Sequence, residues 1–279
     1  MRIGAHIWIG KGLVSAVETA SRLGCNCFQI FVQNPRSWKR TKREDAEVMN
    51  FIREAKKQNL SPVVAHMPYI LNLASPDKKI VKMSQNLLEY EMMECERLKI
   101  GYYVIHPGSH KGAGVEAGIK ILTENLKPFI NSEVKILLEN TAGQGNTVGG
   151  RWEEFEYIFE RYGKKIGLCL DTAHSFQAGY DIREKDILYE MIDIIKKVSY
   201  PGSIFIIHSN DSPSPRGSHL DRHQHIGKGY LGEETFELLI RDEYLGTLPF
   251  IIETPKEDIE MDRRNLDILR EIGKRYKRI

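Results

Sequence analysis

Residues 166–171 read IGLCLD, and residues 204–208 read IFIIH. Each is a short apolar run that stops on a side chain able to bind a metal, Asp171 in the first and His208 in the second. Four more runs have this form: VVAH ends at His66, YYVIH at His106, KILLE at Glu139 and FIIE at Glu253. IGAH, ending at His6, and CFQIF, near Phe31, complete a set of eight. Continuous apolar runs without polar alternation are the pattern of parallel strands buried on both faces. Strands alternating with helical sequence give the α/β class, either as a doubly wound open sheet or as a closed barrel. Acidic and His residues at nearly every strand end favour closure, because a ring of strand ends converges on one point and an open sheet does not. The expected architecture is a TIM (β/α)8 barrel, one domain over residues 1–279.

The intervening segments carry helical signals. Glu44 to Asn59 places Val48, Phe51, Ile52 and Ala55 at spacings of three and four. Ser75-Pro76-Asp77 opens a helix that runs to about Leu98, with Ser75 as its cap. Further helices are predicted near Val115 to Ile130, Trp152 to Tyr162, Lys185 to Lys197, Glu233 to Arg241 and Asp262 to Tyr276. Long polar loops follow the strands ending at His106, Glu139 and His208, and loops on a rigid scaffold carry function.

The formal net charge is +2, so any nucleic-acid partner must be held by local patches and not by bulk charge. Cys25, Cys27, Cys95 and Cys169 form no C-x-x-C pair, which predicts reduced structural thiols in a cytoplasmic protein. The first strand begins at Arg2 or Ile3, so no N-terminal signal is expected. No apolar run approaches the roughly 18 residues that a membrane span needs, so no membrane partner is expected.

Three further metal-capable side chains lie in the loops. His174 follows Asp171 by one helical turn in LDTAH, which puts both on one face if a helix starts there. Asp221 and His223 alternate in DRH and point the same way in extended backbone. The full set is His66, His106, Glu139, Asp171, His174, His208, Asp221, His223 and Glu253. Zinc takes about four ligands and a catalytic zinc keeps one position open, so this set exceeds one metal and suits three with a bridging carboxylate. Four carboxylates against three divalent ions leave a net positive pocket, which suits a phosphodiester better than a neutral sugar. His6, His110, His219 and His225 are read as supporting or structural residues.

These motifs resemble the endonuclease IV family, the barrel-type apurinic/apyrimidinic endonucleases. HMPYILNLA from His66 to Ala74, GLCLDTAH from Gly167 to His174 and IHSNDSPSPRGSHLDRH from Ile207 to His223 match its three characteristic segments, and IHPGSH, LENTAGQG and IETP match as well. The resemblance spans the chain and implies a zinc-dependent hydrolysis of duplex DNA 5′ to abasic sites, as in base excision repair. It implies three zinc ions, with manganese an alternative occupant of one position. His66, His106 and Glu139 would hold one. Glu139, the catalytic carboxylate, would bridge to a second held by Asp171, His208 and Glu253. His174, Asp221 and His223 would hold the third. It further implies that Arg36, Tyr69 and Ile70 enter the DNA and replace flipped nucleotides, and that the protein is a monomer. Basic residues from Arg36 through Lys39, Arg40, Lys42 and Arg43, interleaved with Trp38, fit phosphate gripping. Ser209, Pro213 and Lys228 depart from the family pattern, and Arg216 or Lys228 could supply the charge missing from that loop.

Two rival readings remain open at this point. A metal-dependent sugar isomerase or epimerase on a related barrel needs only Glu139, Asp171, His208 and Glu253, and leaves the other five ligands without a role. A non-catalytic DNA-damage binder would use zinc as structure, but structural zinc sites are usually closed and rich in Cys.

Overall fold

The computed structural model describes residues 1–255 and 258–278. Eight parallel strands close on themselves: β1 (Arg2–His6), β2 (Cys27–Phe31), β3 (Val63–His66), β4 (Tyr102–Ile105), β5 (Lys135–Glu139), β6 (Gly167–Asp171), β7 (Ile204–His208) and β8 (Pro249–Ile252). The ladder between β1 and β8, with Arg2 opposite Pro249 and Ala5 opposite Ile252, rules out the open sheet. Around the barrel run α1 (Leu13–Arg22), α2 (Asp45–Lys57), α3 (Lys78–Arg97), α4 (Val115–Leu126), α5 (Glu156–Tyr162), α6 (Thr172–Gln177), α7 (Lys185–Val198), α8 (Glu233–Arg241) and α9 (Ile259–Arg275).

The helices follow from ordinary amphipathic patterning. In α7, Leu188, Met191, Ile192, Ile195 and Val198 form the buried face. In α2, Val48, Phe51 and Ala55 are buried, and Asp45 with Glu47 in the first turn and Lys56 with Lys57 in the last complement the helix dipole. The cap of α3 is Asp77, whose side chain accepts from the Lys79 and Ile80 amides, and not Ser75, whose hydroxyl accepts from the Asp77 amide one step earlier. The segment from Trp152 begins as a short 3-10 turn and becomes α-helical only at Glu156. The first helix, α1, carries no sequence signal as clear as the others, yet it buries Leu13, Ala16, Val17 and Ala20.

Two apolar layers hold the fold. The larger lies between strands and helices; the smaller, inside the barrel, consists of Cys27, Val64, Val104, Leu137, Cys169, Ile206 and Ile251. At the matching place on β1 stands Gly4, where a Cβ would lie 2.1 Å from the Cys27 carbonyl oxygen, so only glycine fits. Side chains alternate across a strand, so the residue two positions after each inward-facing one also faces inward, nearer the C-terminal mouth. Those residues are Gln29, His66, His106, Glu139, Asp171, His208 and Glu253, with His6 on β1. The packed inner layer is therefore the floor of a ring of polar side chains, one from each strand.

Candidate metal centre

Register and ring closure bring the strand-end donors into contact. Asp171 and His208 are directly opposite in the β6–β7 ladder. Glu139 lies at the centre: its Oε2 is 3.1 Å from both His66 Nε2 and His106 Nε2, and its Oε1 is 2.9 Å from His208 Nδ1. His208 Nδ1 is also 3.1 Å from Glu253 Oε2. Three overlapping donor groups result, each with ligand atoms within 4.8 Å of one another: His66, His106 and Glu139; Glu139, Asp171, His208 and Glu253; and Asp171, His174 and His223. Asp221 joins the third through its Oδ1, 3.2 Å from His174 Nε2. Asp171 thus reaches both the second and third groups, a sharing that residue spacing gives no sign of.

Backbone carbonyls aim the imidazoles. His66 Nδ1 donates to the Met67 carbonyl at 2.8 Å, and His174 Nδ1 to the Asn140 carbonyl at 2.9 Å, so each presents Nε2 to the cluster. Asp171 is the N-cap of α6 and accepts the His174 amide at 2.7 Å, which fixes both side chains on the first turn. Asn140 brackets the Asp171 backbone, accepting its N–H at 2.8 Å and donating to its carbonyl at 3.1 Å. Asn210 donates to Asp171 Oδ2 at 2.6 Å and accepts the Glu253 amide at 2.7 Å. Asp211, fully buried, accepts from the amides of Gly227, Gly229, Leu231 and Gly232, which clasps the loop after the DRH segment.

The donor set fits divalent cations. His174 Nε2 and His223 Nε2 face each other at 3.3 Å, and two ring nitrogens attract at that range only with a proton or a cation between them. His66, with its Nδ1 on a carbonyl, turns Nε2 toward the Glu139 carboxylate at 3.1 Å, a donor pair that a shared cation would join. The electrostatics agree. Burial opposes ionisation of Glu139, but His208 and His106 hold its carboxyl well below the usual range. Glu253 is likewise penalised by burial and is nevertheless lowered by His208. Burial would push His174 down, but the Asp171 and Asp221 carboxylates raise it to about 10. Several carboxylates stay ionised in a buried site that recruits positive charge, and His and carboxylate donors are those that zinc accepts.

A family model described as a xylose isomerase-like TIM barrel matches residues 17–273. A protein from Halothermothrix orenii named "Probable endonuclease 4" is 39% identical over 272 residues, 94% of this chain and 98% of that one. A protein of the same name from Aquifex aeolicus is 39% identical and covers 96% of each chain. The crystal structure of endonuclease IV from Thermus thermophilus superposes with a TM-score of 0.87 at 32% identity, covering 99% of this chain and 100% of that one. The chain belongs to the endonuclease IV family.

A cavity of about 1610 Å³ opens above the donor cluster, with His66, His106 and His223 at its base and Trp8, Arg36 and Tyr69 among its walls. Arg36 is exposed, and Tyr69 is 67% exposed, with its ring edge-on to Phe31 at 5.2 Å. Ile70 stands apart from them, half-buried and packed on the main core. The basic stretch after β2 divides. Lys39 and Lys42 are exposed, but Arg40 lies over the Tyr90 ring and donates to the Asn86 carbonyl, and Arg43 is buried against Glu94. Arg43 is therefore an internal strut and not a phosphate grip. In the loop after β7, Arg216 leans 3.5 Å from Asp181, while Lys228 is exposed on the clasped segment.

The other histidines take local roles. His110 Nδ1 accepts amides of Gly112 and Gly114, His219 bonds the Ala142 carbonyl, and His225 faces Asn265. His6 lies 3.3 Å from Glu253. Asn140, Asn210, Asp211 and Gln29 escaped the sequence reading because amides and loop carboxylates are common. Adjacency was the available signal for three of them: Asn140 follows Glu139, and Asn210 with Asp211 follows His208. For Gln29 the signal was the count of two from the inner barrel layer.

Proposed function

We propose that the chain is a zinc-dependent apurinic/apyrimidinic endonuclease that cleaves the phosphodiester 5′ to an abasic site in duplex DNA. The products are a 3′-hydroxyl and a 5′-deoxyribose phosphate, the entry into base excision repair. The observation that carries this reading is the fused donor cluster at the base of an open cavity walled in part by Trp8, Arg36 and Tyr69. A sugar isomerase would use Glu139, Asp171, His208 and Glu253 and leave His66, His106, His174, Asp221 and His223 without a role.

Three zinc ions would be held by His66, His106 and Glu139, by Glu139, Asp171, His208 and Glu253, and by His174, Asp221 and His223, with Asp171 close to the last set. Manganese is an alternative at one position. When bound, such ions act as Lewis acids that ionise a water and offset the charge of the phosphodiester. The chain's own residues do the rest. Glu139 unites two donor groups and is the catalytic carboxylate of this reading. Asn210 and Asn140 keep Asp171 in place. Arg36 meets backbone phosphate, and Tyr69, backed by Phe31, together with Ile70 fills the gap left by displaced nucleotides. Residues 1–279 act as one domain and as a monomer. No helix among the described residues is long and apolar enough to cross a membrane. All four cysteines are buried thiols, which fits a reducing cytoplasm.

The test is incision. Purified protein nicks an abasic duplex on the 5′ side, leaves an end that a polymerase extends, and needs no added magnesium. An absolute dependence on millimolar magnesium, or turnover of a ketose with DNA left intact, refutes the proposal.

A further inference from the structure

One member of the mouth-facing ring is not a metal-ligand type. β2 contributes Gln29, fully buried, where β3, β5, β6 and β7 contribute His66, Glu139, Asp171 and His208. Its side-chain amide makes three contacts, all within the ring. Nε2 donates to Glu253 Oε1 at 2.6 Å and lies 2.9 Å from His6 Nδ1, and Oε1 is 2.9 Å from His208 Nε2.

We propose that Gln29 is the positioning residue of the second metal position: its amide holds Glu253 and sets which nitrogen of His208 faces the cluster. This rests on the metal-centre reading above and adds a residue to it. The argument is a chain of donor and acceptor constraints. A carboxylate oxygen accepts, so the NH2 end of Gln29 must face Glu253. The carbonyl end must then face His208, and a carbonyl accepts, so His208 carries its proton on Nε2. Nδ1 is then the nitrogen that would face a bound cation, 2.9 Å from Glu139 Oε1 and 3.1 Å from Glu253 Oε2. His208 thereby presents the nitrogen opposite to that of His66 and His174, whose Nδ1 protons go to backbone carbonyls. The reason is spatial. Both of those rings have a carbonyl beside Nδ1, whereas the His208 Nε2 edge meets the Gln29 side chain from β2. The glutamine adds no charge, and so leaves the charge balance among Glu139, Glu253 and the cations unaltered. Partners of this kind typically change metal affinity by about 10–100-fold when removed.

The experiment uses the metal-loaded full chain and Gln29→Met, which keeps length and loses both hydrogen-bonding ends. Metal release is followed against a graded chelator concentration. One ion of Gln29→Met leaves at a chelator level about 10–100-fold lower than in wild type, and the others leave where they did. Nitrogen-15 histidine spectra of the wild-type holoprotein, assigned with a His208→Asn variant, show His208 protonated at Nε2 and bound through Nδ1. That measurement does not require the Met variant to fold. Equal loosening of all ions, an unchanged release profile, or a His208 proton on Nδ1 overturns the proposal. A wild-type chain that binds no divalent ion instead overturns the metal-centre reading itself.

Discussion

Arg36→Ala and Arg43→Ala remove the same charge from one basic stretch, and their losses differ in kind. Arg36 is exposed at the cavity wall. Losing one phosphate contact lowers the log–log salt slope of DNA binding by about 0.9. A fourfold rise in salt then erodes the wild-type advantage by about 3.5-fold, and folding stability stays within about 0.5 kcal/mol. Arg43 is 5% exposed, with Nη1 3.2 Å from Glu94 Oε2 and Nη2 donating to the Val32 carbonyl. Removing it leaves a buried carboxylate short of a partner, a loss of about 3–5 kcal/mol. Arg97 still pairs with the other Glu94 oxygen, so the expected value is near the low end, about 3 kcal/mol, with no change in salt slope. The assays are anisotropy with a labelled abasic duplex across a salt series, and urea unfolding of the metal-loaded protein. If Arg43→Ala flattens the salt slope by a full unit at unaltered stability, the assignment of the two arginines is wrong.

Three further outcomes are expected. Glu139→Ala, which removes the carboxylate common to two donor groups, loses two metal ions by elemental analysis and abolishes cleavage, whereas His225→Ala, on Asn265, keeps all three; equal loss in both contradicts the ligand assignment. Tyr69→Ala weakens abasic-DNA binding with an unchanged salt slope and unchanged metal content, because a wedge acts by stacking and shape; stripped zinc contradicts it. Burial raises the Glu91 carboxyl, which accepts from the Tyr103 hydroxyl, from its ordinary 4.5 to about 8. Its folded-state value lies above its unfolded one, so its contribution is present below pH 4.5 and is lost as pH rises toward 8. Glu91→Gln should therefore gain on wild type by about 4 kcal/mol between about pH 5 and pH 8 in urea unfolding, and a pH-independent difference rules this out.

The barrel and its mouth were legible in the chain itself. Parallel strands buried on both faces must be continuous apolar runs, and a catalytic ring must place its donors where those runs stop, so His66, Glu139, Asp171 and His208 announced both at once. Helix positions followed from period, and errors of a residue or two, such as Ser75 for Asp77, reflect how many Ser and Asp side chains can cap. What chain order cannot express is which groups meet across the ring. Asp171 serves two donor groups because β6 and β7 pair in register. His208 turns the opposite nitrogen from His66 because Gln29 from β2 meets its Nε2 edge. Arg43 is buried and Arg36 is free because α3 presents Glu94 to one and nothing to the other. These depend on closure of the sheet and on the packing of helices against it, contacts between residues tens to hundreds of positions apart. Local patterning determines which residues face inward; only the closed barrel decides what each one faces.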